Sequence, residues 1–201
     1  NKKSEADSLI IISILSLQFS DSREDYQQAL QLGQQGLELA QELQSKQGEA
    51  DSLTAITLAS LRLSNSREEY QQTLQLSQQG LELAQELQSK QSEALFLIVA
   101  SLTSIELADS REAYQQALQL AQQGLALAKE FPNKALQTRS LEATAAASIQ
   151  LANSREEYQQ ALQSAQQVLL LARELKNKEF EADFLISASS ALIRVNSSRE
   201  E

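Results

Sequence analysis

From Ser22 to Lys46 the chain reads SREDYQQALQLGQQGLELAQELQSK. Tyr26, Ala29, Leu30, Gly33, Leu37 and Ala40 follow the i, i+3, i+4, i+7 rule. Leu32, Gly36, Leu39 and Leu43 form a second small or apolar stripe beside them, and glutamine and glutamate take most of the remaining surface. A wide apolar face with a period near 3.6 predicts a helix rather than a strand, here called helix B. Ser22 is a good N-cap, and Asp25 three residues later predicts a capping box. Such a helix would run roughly 22–24 residues, about 35 Å.

A second helical pattern, helix A, surrounds this one. In Glu49–Leu63 (EADSLTAITLASLRL), Leu53, Ile56, Ser60 and Leu63 mark one face with Leu61 beside it. The connection Ser64-Asn65 is short, which makes A and the following B antiparallel neighbours. The return loop is expected around Lys46–Gly48. Further on it contains Phe131-Pro132-Asn133. Proline cannot continue a helix and disfavours the α region for the residue before it, so that helix B should end near Phe131.

The pattern repeats. Ser-Arg-Glu recurs at Ser22, Ser66, Ser110, Ser154 and Ser198, a step of 44 residues each time. The 201 residues divide into repeats 1–44, 45–88, 89–132 and 133–176, with a partial fifth at 177–201. Capping pairs return at Ser66/Glu69, Ser154/Glu157 and Ser198/Glu201, while Ala113 breaks the third. Lys2 and Glu5 occupy the slots of Lys46 and Glu49, so the chain is expected to open inside an inter-repeat loop. A fixed period of this length signifies a solenoid in which each pair buries its faces against its neighbours. Burying one leucine is worth about 1.5–3 kcal/mol. The ladders Leu9/Leu53/Leu97/Leu141/Leu185 and Tyr26/Tyr70/Tyr114/Tyr158 are therefore sufficient to drive stacking.

The stretch Tyr114-Gln-Gln-Ala117-Leu-Gln-Leu-Ala121-Gln-Gln-Gly124-Leu resembles the second helix of the tetratricopeptide repeat (TPR), where an aromatic residue is followed at +3 by a small one and seven later by another. Ala29/Gly36, Thr73/Gly80 and Ala161/Val168 are the counterparts of Ala117/Gly124. The chain departs from that family in its 44-residue period, which is closer to longer TPR-like variants. It also has Thr57, Ser101, Ala145 and Ser189 where the first helix usually carries glycine. The resemblance implies an all-α fold, an α–α superhelix built as a right-handed solenoid of antiparallel helix pairs. A HEAT- or armadillo-like solenoid fits the repeat length equally well.

The repeats do not vary evenly. Ser22–Gln47 and Ser66–Gln91 agree at 23 of 26 positions, whereas Gly48–Asn65 and Ser92–Asp109 agree at 6 of 18. Helix B is nearly copied and helix A is not. In TPR arrays the first helices line a concave groove, and the resemblance places groove positions at three slots per helix A. They are Ile10, Ile14 and Gln18; Thr54, Leu58 and Arg62; Ile98, Leu102 and Glu106; Glu142, Ala146 and Gln150; and Ile186, Ser190 and Arg194. This surface suits an extended or helical apolar segment of a protein or peptide partner. The alternative is that helix A is packed between neighbours and varies by repacking at constant volume.

Composition narrows the chemistry. Cysteine, histidine, methionine and tryptophan are absent, which removes the usual zinc, copper and haem ligands and the serine–histidine and cysteine–histidine nucleophile systems. The acidic pairs Glu24/Asp25, Glu68/Glu69 and Glu156/Glu157 recur at helix starts, where capping and the helix dipole account for them. The net charge of −10 repels phosphate backbones, and no apolar run approaches the roughly 18 residues of a membrane span. The expectation is a cytoplasmic, non-catalytic interaction scaffold with no cofactor or metal, no nucleic acid and no membrane partner, and with self-association through the array ends. The other readings are a sensor or regulatory array of a larger signalling ATPase or protease, and a self-assembling structural spacer.

Overall fold

The computed structural model describes residues 2–19 and 22–174, with Leu185 and Ser189 beyond them. The described residues form eight helices: α1 (Lys2–Phe19), α2 (Arg23–Glu42), α3 (Lys46–Leu63), α4 (Arg67–Glu86), α5 (Lys90–Leu107), α6 (Arg111–Ala128), α7 (Lys134–Leu151) and α8 (Arg155–Glu174). Odd-numbered helices are A and even-numbered ones B. Each A helix begins at a lysine and each B helix at an arginine, so the 44-residue step survives intact in three dimensions. Two boundaries differ from the sequence reading. The return loop is Leu43–Ser45, and Lys46–Gly48 form the first turn of α3, N-capped by Ser45. The described chain is likewise already helical at Lys2. The 20 residues of α2 span about 30 Å rather than 35.

The caps explain these limits. Ser66 Oγ accepts from the Glu69 amide, and Glu69 Oε2 accepts from the amides of Ser66 at 3.2 Å and Asn65 at 2.7 Å. Glu157 does the same for Ser154 and Asn153. At Ser22 only half the box forms: its Oγ accepts from the Asp25 amide at 3.2 Å, and the shorter aspartate does not return the bond. At the other end of α2, the Ser45 amide donates to the Ala40 carbonyl and the Gln44 amide to Gln41, the Schellman pattern. Gln44 and Gln88 therefore sit at φ 52° and 54°, the left-handed region that glycine normally fills. The next residue in that series is Pro132, whose ring forbids this φ. Accordingly α6 stops at Ala128, three residues before the expected Phe131, in a run of tight turns. The side-chain Nε2 of Gln137 donates to the Phe131 carbonyl at 2.8 Å, satisfying one of the freed acceptors.

Among the described residues α2, α4 and α6 each pack against their own A helix and the next one, α8 packs against α7, and α1, α3, α5 and α7 pack on one another in succession. Among the described residues no Cα of one B helix comes within 8 Å of another B helix. The A layer is thus the tighter one, and a two-layer stack with this inequality bends toward it. The buried line of α2 is Tyr26, Ala29, Gly33, Gly36 and Ala40. Small residues there let the flanking A helices approach closely, while Leu30, Leu32, Leu37 and Leu39 are half-buried on either side. The glutamine pairs all face solvent.

The glycine slot shows how the varied A helices fit the constant B helices. A Cβ at Gly36 would lie 2.9 Å from Ile10 Cγ1, and one at Gly124 would lie 3.1 Å from Ile98 Cγ1. Both isoleucines come from the same repeat's A helix. Repeat two has Thr54 in that position, and the space over Gly80 is filled from the next A helix by the Phe96 ring, 2.2 Å from where a Cβ would stand. In repeat four Val168 fills its own slot, fully buried with Ala145, Ala165 and Leu141. Thr57, Ser101 and Ala145, three of the residues that replace the usual first-helix glycine, are also buried. Ser101 Oγ donates across to the Ala117 carbonyl at 2.7 Å, as Ser13 does to Ala29, whereas Thr57 bonds back to Leu53 in its own helix.

Candidate partner-binding surface

The A helices turn one partly exposed strip away from their B helices. In α3 it contains Asp51, Thr54, Leu58 and Arg62, in α5 Leu95, Leu102 and Glu106, and in α7 Arg139, Glu142, Ala146 and Gln150. Because successive A helices touch, the three strips form one continuous surface on the inner side of the stack. Glu106 is the exposed member among the slots read from the sequence, and Ile14 of α1 is half-buried. Ile10 and Ile98 are not on this surface: they are 5% and 2% exposed, drawn under by Gly36 and Gly124. Leu58 and Leu102 divide their surface between strip and core, packing on the clusters around Ala55 and around Ala117. The side chain of Gln18, and Ile186, Ser190 and Arg194, lie outside the described residues.

The strip has a polarity of its own. Asp51 is half-buried, and burial raises its carboxyl above the usual value; the Gln47 amide, donating at 2.9 Å, pulls the other way, and Asp7 on α1 adds to the rise. At the opposite end of the A helices the charges are Arg62 on α3 and Glu106 on α5. Burial raises the phenol of Tyr70 on α4, and the Glu106 and Glu69 charges add to it. The rows seen by sequence reasoning are therefore mixed: apolar in the middle and charged toward the helix ends. Asp51, Leu95 and Arg139 were missed there. The exposed period that contains Thr54 and Leu58 also contains Asp51, one turn earlier, so the signal was present.

A second concavity lies on the outer side. Since B helices do not touch, α2 and α4 leave a groove of about 340 Å³ floored by α3. Leu37, Leu53 and Leu83 supply its apolar lining, and Glu49, Glu82 and Glu86 its acid. Glu86 is engaged at the rim, paired with Lys46. That contact is one rung of an exposed ladder joining the start of each A helix to the end of its B helix: Lys2–Glu42 at 2.8 Å, Lys90–Glu130 at 2.8 Å and Lys134–Glu174 at 2.9 Å are the others. At such exposure water and salt screen each rung, and the ladder contributes little to stability.

No helix among the described residues is long and apolar enough to cross a membrane. No protein-family model matches the sequence, and no curated protein matches it. Solved structures do. The fold is similar to that of a signal-transduction ATPase with numerous domains (STAND) that carries a tetratricopeptide-repeat sensor, from Pyrococcus horikoshii. The TM-score is 0.63 at 14% identity, over 96% of this chain and 28% of that one. It is also similar to the de novo designed helical repeat protein DHR81, with a TM-score of 0.50 at 19% identity, over 87% of this chain and 91% of that one. The chain spans just over a quarter of the STAND protein. At these identities the likeness establishes the fold alone: an all-α solenoid of antiparallel helix pairs.

Proposed function

We propose that this is a TPR-like array of long period acting as a non-catalytic protein-interaction scaffold, with its A-helix strip holding a partner segment. The observation that carries this reading is the asymmetry between layers. The B helices are a copied frame, and the variation is concentrated in the helices whose partly exposed strips form one continuous surface. A partner fitting it has an apolar stretch over Leu58 and Leu102 and polar groups over Arg62 and Glu106. Leu58 and Leu102 also support the core, so the test rests on the charged positions. Arg62→Glu and Glu106→Lys should weaken a partner captured by the wild-type array at least tenfold while leaving the melting temperature within a degree or two. Equal binding by both variants would remove the groove assignment.

The similarity to a STAND protein with a TPR sensor supports a second reading, an array that reports a ligand to an attached ATPase. An adjoining nucleotide-binding domain in the full-length gene would favour it.

A further inference from the structure

The outer groove lies within the array, walled by α2 and α4 and floored by α3. The repeat copies its leucines. Leu37, Leu53 and Leu83 return one repeat later as Leu81, Leu97 and Leu127, and again as Leu125, Leu141 and Leu171. Its acids are not copied in the same way. Glu49 becomes Glu93 and then Gln137, while Glu82 becomes Ala126 and then Leu170. In the second set Glu93 accepts from the Gln85 side chain at 3.4 Å, and in the third Gln137 is committed to the Phe131 carbonyl. Of these three sets, the first combines the leucine lining with carboxylates from both the floor and a wall.

Glu49 and Glu82 have no cation of their own. Lys46 at the rim is paired with Glu86, and among the described residues no basic side chain pairs with Glu49 or Glu82. The placement of Glu82 is unfavourable in isolation. It stands four residues before Glu86, a like-charge pair on one helix face, and near the carbonyl end of α4, where the helix dipole disfavours anions. Ala126 in the same slot of α6 shows that the frame needs no acid there.

An arginine side chain complements this arrangement. Its aliphatic stem lies along apolar surface while its charged head stays among polar groups. The planar guanidinium carries five donors, enough to serve two carboxylates, and is less strongly hydrated than a lysine ammonium. Leu37 and Leu83, both half-buried, stand on opposite walls and offer apolar contact to the residues on either side of it. At about 340 Å³ the groove is at the small end for ligand clefts, so it takes a few side chains of an extended segment rather than a helix.

We infer that the groove between α2 and α4 binds an arginine flanked by aliphatic residues, in an extended segment of a protein partner, with the guanidinium held by Glu49 and Glu82. The site lies on the layer opposite the A-helix strip and does not require it. The probe is a capped leucine-arginine-leucine peptide, titrated to millimolar concentration into the full chain and followed by NMR of labelled leucine methyls. The resonances of Leu37, Leu53 and Leu83 should shift, and those of Leu81, Leu97 and Leu127 should not. The same peptide with citrulline, which keeps the shape of arginine and loses its charge, should bind about tenfold more weakly. Glu82→Ala installs the residue that α6 already carries, so it should weaken the peptide about fivefold and leave the melting temperature unchanged. Ala126→Glu should bring the second set of leucines into the response. No shift at millimolar peptide, shifts confined to the A-helix strip, equal binding of the citrulline peptide, full binding by Glu82→Ala, or a silent second set in Ala126→Glu would each overturn the proposal.

Discussion

Gly80 and Phe96 test whether the glycine slot is a packing device or a tolerated weakness. Phe96 is fully buried, in a cluster with Leu53 and Ala84. A methyl at position 80 would stand 2.2, 2.3 and 2.6 Å from three of its ring carbons, more than an ångström inside the optimum carbon–carbon separation of about 3.5–4.0 Å. Rigid and enclosed, the ring cannot swing aside as the tip of an isoleucine can at Gly36. Overpacking of this kind costs about 1–3 kcal/mol, against which alanine returns about 1 kcal/mol of helix propensity. Gly80→Ala should therefore be destabilising by up to about 2 kcal/mol. Phe96→Ala leaves a cavity and should cost about 3–5 kcal/mol. In the double variant the new methyl enters the space the ring vacated. The clash vanishes and the propensity gain remains, so the double should be more stable than Phe96→Ala alone. The assay is urea denaturation of the four proteins followed by circular dichroism and tyrosine fluorescence, analysed as a double-mutant cycle. A coupling below about 0.5 kcal/mol, or a Gly80→Ala protein more stable than wild type, would refute the reasoning.

Three more outcomes follow from the same geometry. Gln44→Gly and Gln88→Gly relieve the left-handed backbone and should each raise stability by about 1 kcal/mol in chemical denaturation. Ser52 Oγ is buried without a hydrogen-bond partner beside Gly36, so Ser52→Ala should be neutral or stabilising; Ser101→Ala removes a made bond and should cost about 1 kcal/mol. Backbone amides hold the carboxyls of Glu69 and Glu157 below their usual value, Asn65 foremost for the first and Asn153 for the second. A depressed folded-state pKa gives stability that is present above the unfolded value of about 4.5 and is lost as the pH falls through the folded one. Acid titration of the melting temperature should therefore be shallower below that value in a Glu69→Gln/Glu157→Gln variant.

The period, the helix pairs and the serine caps were legible because each rests on local chemistry: an apolar stripe, a hydroxyl, a carboxylate three residues on. Lys46–Gly48 looked like a loop because glycine and polar residues crowd there, yet Ser45 caps the helix just before them. Pro132 marked a helix end correctly in kind, but the proline ring forbids the left-handed turn as well as the helix, and so the end moved back to Ala128. The surface was partly legible. Slots one helical turn apart do share the A strip, but Ile10 and Ile98 sink because the opposing B residue is glycine, 26 positions away in each case. Pattern along one helix cannot reveal that depth. Phe96 over Gly80 was invisible for the same reason, joining two helices through a hole in one of them.

The near-identity of α2 and α4 also poses a problem of assembly. Two B helices that differ at so few positions are almost interchangeable, and a folding chain can hand either one to the wrong A helix. Such swaps are the kinetic traps of repeat proteins. The A helices break the degeneracy: Phe96 accepts glycine beneath it and has no place over Val168, and Ser101 needs a carbonyl at its own depth. Their diversity thus tells each copy of the frame where it belongs, and a variant with four identical A helices should refold more slowly and through more misassembled species than this one.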